Sequence, residues 1–455
     1  MLAELDLSRF VAKSQTSFER GRPAYHPEVM VGIALYASMT GVISSRRIER
    51  ALAVDVGFRV VAANERPDHA TICRFIVRHR DDLEDLFAQI VGLAAEAGLV
   101  DPVLIALDGT KMPGDASPSR NVSLDDLRAA FAAWADTVEA NDAHDDAQES
   151  GPSGPIGEMF DDDSMREWIR RRLDERGNEP GDRRMNLTDP DSGIMPRSGG
   201  GWVQGYNAQA AATQGGIVVA ADVTASPSDP GMLVPMVDRI DSAVTAATGQ
   251  RAGLVIADAG YWNTDNVEFI EADDDRPDVL IATAQQLPDT VPDPLPEPDL
   301  TAWETAVTEH NAKAAAIQSH RVEIIGRVVN GELLLREAEA LTGLDNSWIS
   351  RMKTAWINGA GPDAVPAPDL PGRPKRPPTP TRSARRRHEM STRLAKPSGR
   401  SLYKQRKTII EPVFGDIKTN RRITRFLRRG HDRIRAEWHW ILTGHNLTII
   451  YNHTR

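Results

Sequence analysis

Apolar positions across residues 1–100 recur at steps of three and four. In HPEVMVGIALYASMTG, Val29, Ile33 and Tyr36 fall on one helical face, Pro27 sits just inside the first turn and Gly41 supplies a stop. Ser44 or Ser45 is placed to cap the next short helix, SSRRIERALAVD. After Pro67, DHATICRFIVRHRDDLEDLFAQIVGLAAEAGL predicts two more helices, with Asp68 as cap and Gly98 as stop. The period then changes. PVLIALDGTK is a short unbroken apolar run ending in an acid and a glycine, which predicts a buried strand with Asp108 at its C-terminal end. WVQGYNAQAAAT and GIVVAADVTAS read as strands joined by a hairpin turn at Gly215 and Gly216. A helix, GMLVPMVDRIDSAVTAATG, a second buried strand, GLVIADAGYW with Asp258, and a further strand, VLIATAQQ, follow. The fold class is therefore α/β, a mixed sheet flanked by helices and preceded by an all-helical N-terminal domain.

Two stretches interrupt this pattern. Residues 119–185 form an acidic insertion (EANDAHDDAQES, MFDDDSMREW), helical only around WIRRRLDERG. Residues 287–394 form a second insertion, with a helix at AWETAVTEHNAKAAAIQSH and an extended basic linker at PAPDLPGRPKRPPTPTRSARRR. From Ser401 the chain is helical again. Tyr403, Lys407, Glu411, Phe414 and Lys418 share one face, and Ile410, Val413 and Ile417 form another that would pack on the sheet. Pro412 predicts a kink, or a helix that starts anew there.

Composition adds little until the charge is divided. The 455 residues carry a net −11, which is the wrong sign for a nucleic-acid binder. From Pro371 to Arg455, however, 22 Lys and Arg stand against five Asp and Glu, a local +17 beside −28 for the remainder. Such a split is itself a nucleic-acid signal, because cations without acidic company displace counterions from phosphates; a merely solvated basic tail is the alternative. Arg74, Arg78, His79 and Arg80 suit a helix-turn-helix bundle, although an amphipathic helix with a charged outer face would look the same. The single cysteine, Cys73, excludes intramolecular disulfides and Cys-based zinc sites. No run approaches the roughly 18 apolar residues of a membrane span, and MLAELDLSRF lacks a basic n-region, so the expected location is cytoplasmic, with no membrane partner.

Two buried-strand acids, Asp108 and Asp258, with Glu411 on a packed helix, are a donor set suited to hard divalent cations. Each has a plain alternative. An Asp before Gly at a strand end serves turns, and a Glu in a basic helix pairs with Lys407 or Lys418. Asp189 and Asp191 in NLTDPDSG read as turn residues before metal ligands, and Trp438, His439, Trp440 and His445 as core before a base-stacking surface.

The words PDHATICRF, AGLV, ALDGTK, NLTDPDSGIM, VQGYNAQAA, ADAGYW and YKQRKTIIEPVFGDIK, in this order, resemble the DDE-type insertion-sequence transposases, whose catalytic core is ribonuclease-H-like. The resemblance covers roughly residues 25–285 and 395–450. It implies Asp108, Asp258 and Glu411 as catalytic acids and ligands of two Mg²⁺ (or Mn²⁺) ions. It also matches a Tyr, Arg, Glu and Lys signature at Tyr403, Arg406, Glu411 and Lys418, whose basic members grip DNA phosphates. Lys407, Arg421, Arg422, Arg425, Arg428 and Arg429 extend that basic surface. The implied organisation is a DNA-binding helical domain at 1–100, a catalytic core at 101–286 and 395–455, and the insertions at 119–185 and 287–394. The implied partners are double-stranded DNA, as terminal inverted repeats and as target, and a second copy of the chain in a synaptic homodimer. A metal-dependent nuclease on the same core and a DNA-binding protein without catalysis are the rival readings.

Overall fold

The computed structural model describes residues 4–15, 25–132, 184–197, 200–284 and 290–454, together with most of 167–174. Of the acidic runs quoted above, only Glu167 lies among the described residues, and it is helical. One compact unit takes Met1–Pro292 with Glu389–Arg455, and Asp293–His388 form another.

The N-terminal helices form where the apolar period places them. After α1 (Ser8–Gln15), Pro27 opens α2 (Pro27–Met39), and Gly41, at φ 72°, takes the chain out of it. Ser44 precedes α3 (Ser45–Val54) without a side-chain cap bond, and Asp55 caps α4 (Val56–Val61) by accepting from the Phe58 amide. Asp68 caps α5 (His69–Arg78) through the Thr71 amide at 2.6 Å, and α6 (Arg80–Glu96) ends before Gly98, at φ 72°.

The strands are β1 (Leu104–Pro113), β2 (Asn121–Ser123), β3 (Arg184–Asn186), β4 (Gly193–Pro196), β5 (Trp202–Thr213), β6 (Val218–Thr224), β7 (Leu254–Ala257) and β8 (Asp278–Ile281). β2 and β3 pair by themselves. In the main sheet β1 is central, antiparallel to β5 on one side and parallel to β7 on the other. β5 carries β4 and β6 antiparallel on its far edge, and β8 extends β7 in parallel. Gly216, at φ 79°, turns the β5–β6 hairpin. Between β6 and β7 lies α7 (Leu233–Thr248), stopped by left-handed Gly249, and α8 (Thr264–Glu271) links β7 to β8.

Three helices complete this unit: α12 (Arg382–Ala395), α13 (Pro397–Gly415) and α14 (His431–His453). The expected break at Pro412 does not occur there. Ile409, Ile410 and Val413 are buried and hold the backbone helical through the proline, and the helix instead widens to a π turn at Asp416–Asn420. α14 is buried on nearly all sides. Trp438 Nε1 donates to the Gln209 carbonyl and Trp440 Nε1 to the Ala34 carbonyl, while the Asn446 side chain pairs with both backbone groups of Val218. One continuous core thus joins α2, α6, the sheet and α14, and Trp438, His439, Trp440 and His445 are core residues rather than a stacking surface.

The second unit is helical: α9 (Thr301–Val329), α10 (Leu335–Thr342) and α11 (Asn346–Ala355), packed on Ile324, Ile325, Val328, Ala338, Ile349 and Met352. The proline-rich stretch 366–381 has neither helix nor strand, as its composition predicts, but RSARRR opens α12 instead of extending the linker.

Candidate active site

β1 and β7 run parallel with Leu104 beside Leu254, Ile105 beside Val255 and Ala106 beside Ile256. Carried two residues further, that register sets Asp108 level with Asp258, on the same face of the sheet. Asp258 leaves β7 and caps the short turn Ala259–Tyr261 by accepting from the Gly260 amide at 2.8 Å. Asp108 Oδ1 accepts from the Gly109 amide at 2.8 Å, and Oδ2 accepts from Arg406 Nη1 at 2.7 Å. Burial, reinforced by the Asp258 charge and opposed by the Arg406 guanidinium, pushes the Asp108 carboxyl up to about 6.

α13 lies along β1. Arg406 meets Asp108, and three turns later Lys418 Nζ donates to Thr110 Oγ1 and the Lys111 carbonyl; burial lowers the Lys418 pKa. Tyr403, half-buried near Arg406, has its phenol raised by burial. Glu411 and Lys407, on the same helix, face solvent, and the structure does not bring Glu411 to the two aspartates. Among the described residues no three or more His, Cys, Asp or Glu side chains stand together as a metal-ligand set.

The opposite face of β1 carries a carboxylate that the sequence did not single out. Gly109 and Lys111 point away from Asp108, opposite Gln209 and Asn207 of β5. There Asp229 Oδ1 accepts from Asn207 Nδ2 at 2.6 Å and Gln209 Nε2 at 3.1 Å, with Lys111 Nζ at 3.9 Å. Asp229 precedes the turn Pro230–Met232 without capping it, so SDPG in the sequence signals a turn and not a site. The Tyr261 phenol donates to Gln209 Oε1 beneath this group, and burial, with the Asp229 and Asp108 charges, raises its pKa.

Of the expected phosphate contacts, Lys407, Arg422 and Arg425 are exposed. Arg425 and Arg429 both pair with Asp115, and Arg428 pairs with the fully buried Glu437. Arg421 requires a correction. It is only 8% exposed, and its guanidinium donates to the carbonyls of Ser38 and Ile441, each at 3.0 Å, and pairs with Asp416. The turn after Ile417 directs it inward, where it clamps α2 to α14 and is out of reach of a phosphate. Asp189, also buried, accepts from the Tyr206 hydroxyl and the Gly430 amide, and Asp191 from the His431 amide. Both tie the chain before α14 to the β4 region, in keeping with the structural reading.

Comparison with known families decides the broader question. Residues 2–78 match a transposase domain (DUF772), and residues 375–451 match a transposase DDE domain. Both ends of the chain thus carry transposase domains, which supports an insertion-sequence DDE transposase. The second match spans α13, with Arg406, Glu411 and Lys418, whereas Asp108 and Asp258 lie outside both matched stretches. No curated protein and no solved structure matches the transposase. Among its described residues no helix is long and apolar enough to cross a membrane.

Proposed function

We propose that this transposase binds the inverted repeats at its element's ends and cleaves and joins DNA at a divalent-cation site built on Asp108 and Asp258. The observation that carries the reading is the β1–β7 register, which sets Asp108, midway along β1, level with Asp258, just past the end of β7, 150 residues away in sequence. A mixed sheet bearing acids level with each other on neighbouring parallel strands also supports a ribonuclease-H-like core.

The donor set suits a hard divalent ion. Asp108 is part-buried, and that burial makes its carboxylate costly to ionise without a cation beside it. Asp108 and Asp258 would hold the cation, with Glu411 as the third ligand that the family signature implies. Two bound Mg²⁺ or Mn²⁺ ions supply Lewis-acid stabilisation of the leaving oxygen and make an attacking water or 3′-hydroxyl easier to deprotonate. Arg406 holds Asp108 in place and balances its charge. Tyr403, Lys407, Lys418, Arg422 and Arg425 would position the duplex through its phosphates, which fixes register without reading sequence. Pairing of two ends implies a homodimer in the synaptic complex.

The test is cleavage of a labelled duplex carrying the element's ends, in Mg²⁺ and in EDTA, by wild type, Asp258→Asn and Glu411→Gln. We expect Mg²⁺-dependent nicking at the end that both variants lose while retaining duplex binding. Wild-type nicking by Asp258→Asn would refute the assignment; loss of binding and cleavage together in Glu411→Gln would give that residue a folding role instead.

A further inference from the structure

We infer that the proline-rich stretch 366–381, which the site above does not use, is a separate DNA-contacting element that lays Arg373 into the minor groove of A·T-rich duplex. The inference deepens the proposed function and rests on its assignment of double-stranded DNA as the partner.

Seven of these 16 residues are proline, which fixes φ and removes the backbone donor, so the stretch forms neither helix nor strand. It is nevertheless held in place. Val365, immediately before it, is buried in the core of the helical unit, and its carbonyl accepts from Gln318 Nε2 at 3.0 Å. Midway, the Pro374 carbonyl accepts from Trp303 Nε1 of α9 at 3.2 Å, and the Arg376 guanidinium lies over the Trp303 ring at 5.6 Å. At the far end Thr381 Oγ1 accepts from the Ala384 amide at 3.2 Å as α12 opens. An extended chain fixed at three points has little further freedom to lose when it binds.

Its cations are free to meet a ligand. From Pro371 to Arg382 the sequence carries four cations and no acid. Arg373 and Lys375 are exposed, and neither has an ion pair or hydrogen bond among the described residues. Gly372 stands just before Arg373 at φ 82°, and a Cβ on it would meet nothing within 4 Å, so the backbone and not the packing demands glycine there. Arg373 thus projects between a residue with no side chain and a compact proline ring.

Shape and charge together select the groove. The minor groove of B-DNA is about 6 Å wide, too narrow for a helix about 10–12 Å across but open to a single extended chain. A·T pairs line its floor with acceptors alone, whereas G·C pairs add the guanine amino group, a donor that opposes a guanidinium. A·T tracts also narrow the groove and deepen its negative potential, which draws in an Arg. Lys375, two residues on, is placed for the bordering phosphates. The basic residues of α13 and the turn after it read no sequence; this element would add a preference for base composition.

The test uses the full-length protein and two labelled duplexes of equal length that lack the element's ends, one with a central A·T tract and one of G·C pairs, read by fluorescence anisotropy without Mg²⁺. We expect wild type to prefer the A·T duplex by about tenfold, the size of one good base-pair contact, and netropsin, which fills the A·T minor groove, to abolish the preference. Arg373→Gln should lose the preference, whereas Arg336→Gln, which removes the same charge from an exposed site on α10 of the same unit, should keep it. Arg373 has no partner within the fold to leave behind, and circular dichroism checks that the variant is folded. Equal wild-type affinity for the two duplexes, or an unchanged preference in Arg373→Gln, would overturn the inference. An equal loss on both duplexes in Arg373→Gln would make the residue a phosphate contact and overturn it too. Cleavage plays no part in this readout, so failure here leaves the Asp108–Asp258 reading standing, and failure of that reading leaves the A·T preference measurable.

Discussion

Replacing Asp108 by Asn is predicted to stabilise the metal-free transposase. Burial, reinforced by the Asp258 charge, pushes the folded carboxyl up to about 6 from the ordinary 3.8. It holds its proton more tightly in the folded than in the unfolded chain, so folding takes up a proton between those two values. That contribution is present below pH ~4 and is lost as pH rises through about 6. At about 1.4 kcal/mol per pKa unit, ionised Asp108 costs the fold about 3 kcal/mol at neutral pH. Asn keeps the shape and an oxygen for Arg406 but removes the charge. The unit holding the sheet has roughly 360 residues, and at about 2.1 cal/mol/K per residue of unfolding entropy this energy corresponds to about 4 °C. Thermal unfolding in EDTA should show Asp108→Asn melting about 4 °C above wild type at pH 7.5, with the gap shrinking to about a third at pH 4.5. A variant that melts below wild type at pH 7.5, or a gap indifferent to pH, would refute the claim that ionisation at this position is costly.

Two further outcomes concern the clamp between the ends of the chain. Arg421→Met should cost about 3 kcal/mol or more in urea unfolding, because it removes the guanidinium bonds to the Ser38 and Ile441 carbonyls and leaves Asp416 with His445 as its one remaining charged partner, while duplex affinity per folded molecule stays at the wild-type value; a selective loss of affinity would restore the residue to the DNA surface. Gly444→Ala places a Cβ 2.6 Å from the Ser38 carbonyl carbon and 2.7 Å from the Met39 nitrogen, so α2 and α14 must part, and a loss of about 1–3 kcal/mol is expected relative to Gly92→Ala, which meets nothing within 4 Å.

Much of the fold was legible because its signals are local. Asp68, Gly98, Gly216 and the apolar run at β7 act through their own neighbours, and these elements start and stop where those residues place them. Pro412 misled because a local rule met a tertiary override: burial of Ile409, Ile410 and Val413 outweighs one lost backbone donor. Arg421 misled for a related reason. In IKTNRR it is one of two consecutive arginines, and only the packed turn makes the first buried and the second exposed. Asp258 does follow the end of its strand, but β1 runs on past Asp108 to Pro113 because β5 pairs with it along that length, and the adjacency of the two acids depends on a parallel register across 150 residues, which no local pattern encodes. Asp229 was invisible because its partners, Asn207 and Gln209, project from β5, and SDPG reads as an ordinary turn.

The charges around Asp258 bear on why a duplex would belong to the site. Asp108, Asp229 and Asp258 face Arg406 and Lys111, and Arg406 is already committed to Asp108 at 2.7 Å. The uncompensated negative charge therefore lies toward Asp229 and Asp258, where, on the proposed function, a first divalent cation would gain most. On the proposed reading, that ion turns the local balance positive, and a second could enter a half-buried site only with anions of its own. Glu411 faces solvent in the free chain, on the helix that also presents Lys407. The remaining anions are then the phosphates of the DNA, so the substrate would help to complete the site on which it is cut.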